Sequence, residues 1–534
     1  MNKTNYTVLK NDKIGRYLVA SRNIKAGEVI IFEKPLLIGP PISGLLICFN
    51  CCKEIKRIAY VLCASCGTAI LCNAKCIGKF HTKEECEIFA AKQINGRCIA
   101  DNCQIIFPLR CLLLKATNFD SWTEFMKLEC HLEARRDTPI WRRHKTDVEE
   151  ILREMNIISE EDINAELIQK ICGILDVNTF EVRPPNSTIS TINPEKQCLR
   201  GLYIKAALMT HDCTANTLLS VDDDFTMTVK ASVDIPKDAL IYFNYANVLQ
   251  GSLDRREHLR EGKYFECSCK RCLDPTELDT NISSIKCHLC PEGFVKSVKP
   301  SDPKSEWKCS GCGKLFLHSL VTIIVDEGKR LIQNLDHNNL EAFETLHTRL
   351  LRTFHPNHHL LLEMQQNMIG LYSLYPPNVT NLKKKIVNCQ SLIRVLSVIE
   401  PGISRMKALT LYQLQSAMID LSHKNYQEKS INLKCLVLNL TTAEEILNES
   451  IRYLLHEPAK SPEGVIARTA LNELKMLRMS ITNIKNDILA NEMFTNQTKF
   501  QENSNLDTKA TKCGELKQKH VKKNRKKSNK SHSH

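Results

Sequence analysis

Cys48-x2-Cys51, Cys63-x2-Cys66, Cys72-x3-Cys76 and His81-x4-Cys86 put seven cysteines and a histidine into one short segment. Thiolates two or three residues apart can turn toward one ion at about 2.3 Å, and a closed tetrahedral zinc site needs two such pairs. These eight donors predict two zinc ions. Cys52 falls outside the pairing and reads as a bystander. Farther along, Cys267-x-Cys269-x2-Cys272 offers three thiolates, so its fourth ligand must come from elsewhere in the chain. Cys287-x2-Cys290 and Cys309-x2-Cys312, with Gly293, Gly311 and Gly313 at the turns, read as a complete zinc ribbon. Four ions are expected in all. The plainer alternatives are a chance cluster of thiols and, for the ribbon, a surface loop.

Composition narrows the setting. Twenty-five cysteines among 534 residues, with no N-terminal apolar stretch after a charged start, point to metal thiolates in a reducing, intracellular compartment. No uncharged apolar run approaches the roughly 18 residues that span a bilayer, so no membrane partner is expected. The net charge is +13, but eight Lys and Arg fall between Lys517 and Lys530, and removing them leaves only +5 for the rest. Such a tail is a solvated end, a nuclear-import signal or a nucleic-acid arm.

Elements must position these donors. Residues 7–39 alternate β-branched and turn residues and predict three short strands, with turns at Asn11-Asp12 and Lys25-Ala26-Gly27. The zinc segment interrupts them. From Phe89 to Ile174 apolar residues recur three and four apart, a helical pattern, and strand character returns from Thr191 through LLSV, FTMTVKASVDI and ALIYFNYA. A β-structure broken twice by inserted material needs its halves to meet in space. From about Leu320 to Ile484 the chain reads as helices of ten to eighteen residues, either a superhelix of the tetratricopeptide kind or a plain bundle. After about Asn491 the composition turns polar, and order is not expected.

Four stretches carry a resemblance: GRYLVASRNIKAGEVIIFEKPL, the zinc segment, GLYIKAALMTHDCTANT, and FNYANVLQGSLDRREHLREGKYFECSCKRC. In this order and spacing they resemble SET and MYND domain proteins, which are protein-lysine methyltransferases, and look most like the insect SmydA branch. The resemblance covers nearly the whole chain. It implies an α+β multidomain fold: a split β-rich SET domain with an inserted MYND zinc finger, a post-SET zinc knot, a zinc ribbon and a C-terminal all-α, TPR-like domain. The expected boundaries are 1–47 for the first SET part, 48–86 for the finger, 87–189 for a helical insertion and 190–250 for the SET core. The post-SET motif would span 251–280, the ribbon 281–319, the helical domain 320–490 and a disordered basic tail 491–534.

The resemblance also implies site residues. Cys48, Cys51, Cys72 and Cys76 would hold one zinc, with Cys63, Cys66, His81 and Cys86 holding the other. Cys213 would complete the Cys267, Cys269 and Cys272 site. Methyl transfer from S-adenosylmethionine to lysine is an in-line displacement that needs alignment and a deprotonated amine rather than a strong acid. Tyr245 looks like the catalytic tyrosine, and its plainer role is a buried strand aromatic. Gly15, Arg16, Asn178, Thr210, His211 and Phe265 match cofactor contacts. Two places depart from the pattern: Tyr17 stands where a second glycine is usual, and Thr210 where an asparagine is usual. One lost hydrogen bond there would cost roughly 1 to 3 kcal/mol. His211 either serves the cofactor step or braces the zinc knot.

Two functions from different classes follow. One is an active lysine methyltransferase, with a protein substrate, placed in nucleus and cytoplasm. The other is a SET-MYND adaptor of weak or no activity in transcriptional regulation, whose finger takes a proline-rich peptide. Tyr245, Phe265 and Asn178 favour the first, and Thr210 and Tyr17 the second. Direct nucleic-acid binding is disfavoured outside the basic tail, because the zinc segment lacks the C2H2 ligand order and carries Glu84, Glu85 and Glu87.

Overall fold

A computed structural model describes residues 4–12, 14–42, 45–56, 59–76, 78–155, 157, 164–184 and 198–518, with side chains as far as 493. The expected return of strand structure at Thr191, the 190 boundary and residues 519–534 of the basic tail lie outside them. Among the described residues no helix is long and apolar enough to cross a membrane.

The front of the chain forms β1 (Tyr6–Asn11), β2 (Gly15–Ala20), β3 (Val29–Glu33) and β4 (Leu37–Gly39), four strands where three were expected. Gly15, at φ +70°, closes the β1–β2 hairpin, and Asn11 Oδ1 accepts from the Ile14 N–H at 2.9 Å. After β5 (Val61–Leu62) and β6 (Ile70–Leu71), a small hairpin inside the zinc segment, the second half supplies β7 (Thr179–Val182), β8 (Leu199–Leu202), β9 (Thr210–His211), β10 (Thr217–Val221), β11 (Met227–Ala231) and β12 (Tyr242–Phe243). The halves do meet: β3 pairs with β11, β4 with β8, and Val19 bridges Leu240. Leu18, Ile31, Ile38, Met209, Val229 and Ile241 fill the core between them, and the buried Tyr203 hydroxyl donates to the Phe225 carbonyl at 2.6 Å. β7 lies past the helical pattern read over Phe89–Ile174 and within 87–189, the expected helical insertion. Its four residues follow helix Ala165–Asn178 directly, so no turn residue announces the change.

The zinc segment is packed into the helical insertion rather than hung from it. Arg110, on helix Ile106–Thr117, is buried and donates to Glu85, to the Phe49 carbonyl at 2.8 Å and to the Ile38 carbonyl at 3.3 Å. One guanidinium thus joins helix, zinc segment and β4. Burial pushes the Glu85 carboxyl up, but Arg110 and His81 outweigh it and hold Glu85 below the usual carboxylate range.

Behind the sheets, β13 (Ile285–Lys286), β14 (Phe294–Ser297), β15 (Trp307–Cys309) and β16 (Leu315–Phe316) make a four-stranded antiparallel ribbon. Gly293 is required there, since a Cβ would stand 2.3 Å from Cys309 Sγ. Helices then follow from His318–Gln333 to Leu433–Leu454, most pairs packing in chain order as a helix-repeat stack does. Side-chain oxygens of Asn339, Asn378, Ser404 and Asn432 cap helix N-termini. Arg405 ties the stack to the β core through the Leu219 carbonyl at 2.8 Å.

The expected end of order near Asn491 is corrected. The last helix runs Pro462–Gln518. Polar composition removes an apolar face, but no proline or glycine stands between Val465 and Cys513 to stop the backbone ladder.

Arg255 and Arg271 are both fully buried on one carboxylate, Glu277, at 2.8 and 3.0 Å. Removing one partner of a buried ion pair costs about 3 to 5 kcal/mol. The expected result for Arg255→Ala is a loss of that size in chemical denaturation, whereas Arg330→Ala, an exposed pair with Glu327 at 2.7 Å, should cost under about 1 kcal/mol.

Candidate active site and metal centres

Four groups of donors converge: Cys48, Cys51, Cys72 and Cys76; Cys63, Cys66, His81 and Cys86; Cys213, Cys267, Cys269 and Cys272; Cys287, Cys290, Cys309 and Cys312. Within each, all ligand atoms lie within 4.8 Å of one another. A tetrahedral site with metal–sulfur bonds near 2.3 Å separates its sulfurs by about 3.8 Å. The observed spacings match: Cys48–Cys76 3.6 Å, Cys51–Cys72 3.8 Å, Cys63–Cys86 3.9 Å, Cys287–Cys312 3.8 Å and Cys290–Cys309 3.6 Å. Each group could hold zinc. Cys52 joins none of them, and burial pushes its thiol up to about 12.

Surroundings support these donors. His81 Nε2 faces Cys66 Sγ at 3.8 Å, while Nδ1 lies 3.3 Å from Glu85, the carboxylate that Arg110 holds. A carboxylate on the far nitrogen fixes the tautomer that leaves Nε2 free for a metal. In the sequence Glu85 counted only as one of three acids in the zinc segment and Arg110 not at all; the spacing of four between His81 and Glu85 at a helix start was the available signal. Backbone N–H groups of Cys72, Cys272 and Gly311 point at ligand sulfurs at 3.3 to 3.4 Å.

The third group anchors the proposed reaction centre. Strands β9 and β12 pair in parallel, setting Thr210 opposite Tyr242 and His211 opposite Phe243. Asn216 holds that arrangement by accepting from the Tyr242 N–H at 2.7 Å and donating to the Leu240 carbonyl at 2.9 Å. His211 Nδ1 accepts from the Tyr245 N–H at 3.0 Å, and its Nε2 lies 3.3 Å from Cys213 Sγ. Both ring nitrogens are committed, so the side chain braces the knot and Tyr245. Burial lowers His211 to about 4, which keeps it neutral and able to accept.

The Tyr245, His211 and Phe265 rings form a triangle, with Tyr245 5.2 Å from His211 and 6.5 Å from Phe265 and the latter two 5.7 Å apart, and the Tyr245 hydroxyl donates to the Met209 carbonyl. Burial raises its phenol, so it stays protonated. One residue beyond Met209, the Thr210 hydroxyl is buried without a partner. A buried unpaired hydroxyl is costly, and it suits a polar ligand. Asn178 donates to the Glu129 carbonyl at 2.7 Å and the Ile174 carbonyl at 2.8 Å, so both amide hydrogens are spent and Oδ1 is left as an acceptor. Arg16 reaches the neighbouring Lys127 carbonyl at 2.9 Å from the Gly15 turn. Thus Thr210, His211, Tyr245 and Phe265 are in one cluster, while Arg16, next to the Gly15 turn, and Asn178 converge on the 127–129 loop. Tyr17 lies within β2 opposite Leu9. Lys263, two residues before Phe265, stands 5.8 Å from the Tyr245 ring centroid and was not anticipated.

No family model matches the chain. It is 28% identical over 372 residues to SET domain-containing protein SmydA-8, isoform A, of Drosophila melanogaster, covering 68% of this chain and 78% of that protein. It is 29% identical over 272 residues to N-lysine methyltransferase SMYD2-B of Danio rerio, covering 48% and 58%. To histone-lysine N-methyltransferase ASHR2 of Arabidopsis thaliana it is 24% identical over 284 residues, covering 48% and 69%. With its mixed helix and sheet architecture, four metal-type clusters and helical C-terminal region, the chain is a homologue of SET and MYND domain-containing proteins.

Metal analysis of purified protein should give four zinc ions per chain. Cys213→Ser should lower the count to three and loosen the ring cluster, read as lost protection of the Tyr245 and Phe265 amides in hydrogen exchange. An unchanged count would remove Cys213 from the ligand set.

Proposed function

We propose that the chain is a protein-lysine N-methyltransferase that uses S-adenosylmethionine. The observation that carries this reading is the cluster of Tyr245, His211 and Phe265 rings on the Cys213 knot, with the partnerless Thr210 hydroxyl beside it. Relatives named as lysine methyltransferases support it.

When bound, S-adenosylmethionine supplies a methyl group on a positively charged sulfur. The protein's own residues have three tasks. Thr210 offers its free hydroxyl, and Asn178 an acceptor oxygen suited to an ammonium group. Aromatic faces attract the lysine ammonium by about 0.5 to 2 kcal/mol and shed its water. Burial of that ammonium lowers its pKa and eases loss of the proton that must leave before attack. Tyr245 spends its donor on Met209, so its oxygen keeps lone pairs for an N–H of the incoming amine. The substrate in this reading is a lysine-bearing protein in nucleus and cytoplasm, with a proline-rich peptide docking at residues 48–86.

The adaptor reading draws on one observation, the Lys263 ammonium already lying over the Tyr245 ring.

Calorimetric titration with S-adenosylmethionine should show binding, and no binding at millimolar cofactor would sink the enzyme reading. Tyr245→Phe should keep that binding and lower methyl incorporation into cell extract by on the order of a hundredfold; equal incorporation would free Tyr245 of its role. Thr210→Val separates ligand from fold. It should stabilise the free protein by roughly 1 kcal/mol, because a buried unpaired hydroxyl disappears, yet weaken cofactor binding about fivefold or more.

A further inference from the structure

Lys263 ends helix Ser252–Lys263, and Tyr264 follows at φ +60°, turning the chain back toward Phe265 and the knot. Its Nζ donates to the Val177 carbonyl at 2.6 Å and the Asp176 carbonyl at 3.3 Å, in the last turn of helix Ala165–Asn178. Those carbonyls sit at the negative end of the helix and lack intrahelical partners. On a third side lies the Tyr245 ring at 5.8 Å. Among the described residues no carboxylate comes within ion-pair distance of Lys263, unlike Lys329 or Lys384 with carboxylates at 2.6 and 2.7 Å. Two carbonyls and a ring face are the neutral groups with which a binding site holds a lysine head.

We propose that Lys263 is an internal stand-in for the acceptor lysine, its ammonium filling the place over the Tyr245 ring and excluding outside lysines until it is displaced. This rests on the methyltransferase reading above. An outside lysine meets two obstacles at that place. One is a like charge a few ångströms away. The other is competition with a tethered side chain, whose effective concentration is in the millimolar range or higher. Burial, with the charge of Arg200 behind it, outweighs the Asp176 and Glu181 carboxylates and lowers Lys263 to about 8, so it is still an ammonium at neutral pH but gives up its proton more readily than a free lysine. A neutral amine still has two N–H groups for the two carbonyls, so losing the proton breaks neither bond.

The test uses the full chain as wild type, Lys263→Met and Lys263→Arg, with a pool of random lysine-containing dodecapeptides as methyl acceptor. Cofactor affinity is measured beside it by calorimetry. Methionine keeps the length of the stem and removes the charge; arginine keeps the charge. The expected result is transfer roughly tenfold or more faster for Lys263→Met at unchanged cofactor affinity, with Lys263→Arg no faster than wild type. Transfer by Lys263→Met at or below the wild-type rate, with cofactor still bound, overturns the proposal and leaves the methyltransferase reading standing. Absence of cofactor binding in wild type overturns both. If zinc content and melting show that Lys263→Met does not fold, reductive methylation of wild type by formaldehyde decides. Lys263 should then be labelled at least about tenfold more slowly than exposed Lys53, and labelling at the Lys53 rate overturns the proposal.

Discussion

The four-thiolate knot of Cys213, Cys267, Cys269 and Cys272 is the constraint on which the candidate reaction centre depends. Cys213 and Cys267 are 54 positions apart, and nothing local draws them together. Their sulfurs lie 4.0 Å apart, and Cys213 is 3.4 Å from Cys272, distances at which four thiolates would repel strongly without a cation among them. Two residues before Cys213, His211 passes the position of the knot to the Tyr245 backbone. Phe265, two residues before Cys267, closes the other side of the ring cluster. An ion held here would therefore fix the geometry of the ring cluster.

A second buried charge network does similar work at the front. Arg110 and Glu85 would each be costly alone, and only their pairing, together with the Phe49 and Ile38 carbonyls, makes burial tolerable. The carboxylate is shared with His81, so ligand orientation in the finger and the position of β4 are parts of one arrangement. This explains why residues 48–86 are welded to the insertion. The zinc segment is therefore held rigidly against the split sheet.

The thiol pairs were legible in the sequence because their spacing is a local property, whereas the sharing of pairs between two ions and Cys213 as a fourth ligand came from the resemblance. The meeting of β3 with β11 followed from the need to pair edges left open by the insertions. Other features depend on approach in space. β7 is four residues long and abuts a helix, so period alone could not find it. The last helix continues past 491 because backbone hydrogen bonds need no apolar face. Lys263 carried no signal in the sequence. Its meaning arises only when the end of helix Ala165–Asn178 and the Tyr245 ring are brought to it.

The centre also has a balance of donors and acceptors that residue identity alone does not reveal. His211 looks like a proton carrier, yet both its nitrogens are engaged, and a protonated ring could not accept from the Tyr245 N–H. Neutral imidazole is thus a condition of the tyrosine's position, and burial secures it. Asn178 looks like an amide with two functions, but its donors are spent on carbonyls and one acceptor is left. Thr210 keeps the converse, a hydroxyl with nothing bonded to it. Asn178 thus keeps one acceptor and Thr210 one free hydroxyl. The same hydroxyl costs stability while no ligand is bound.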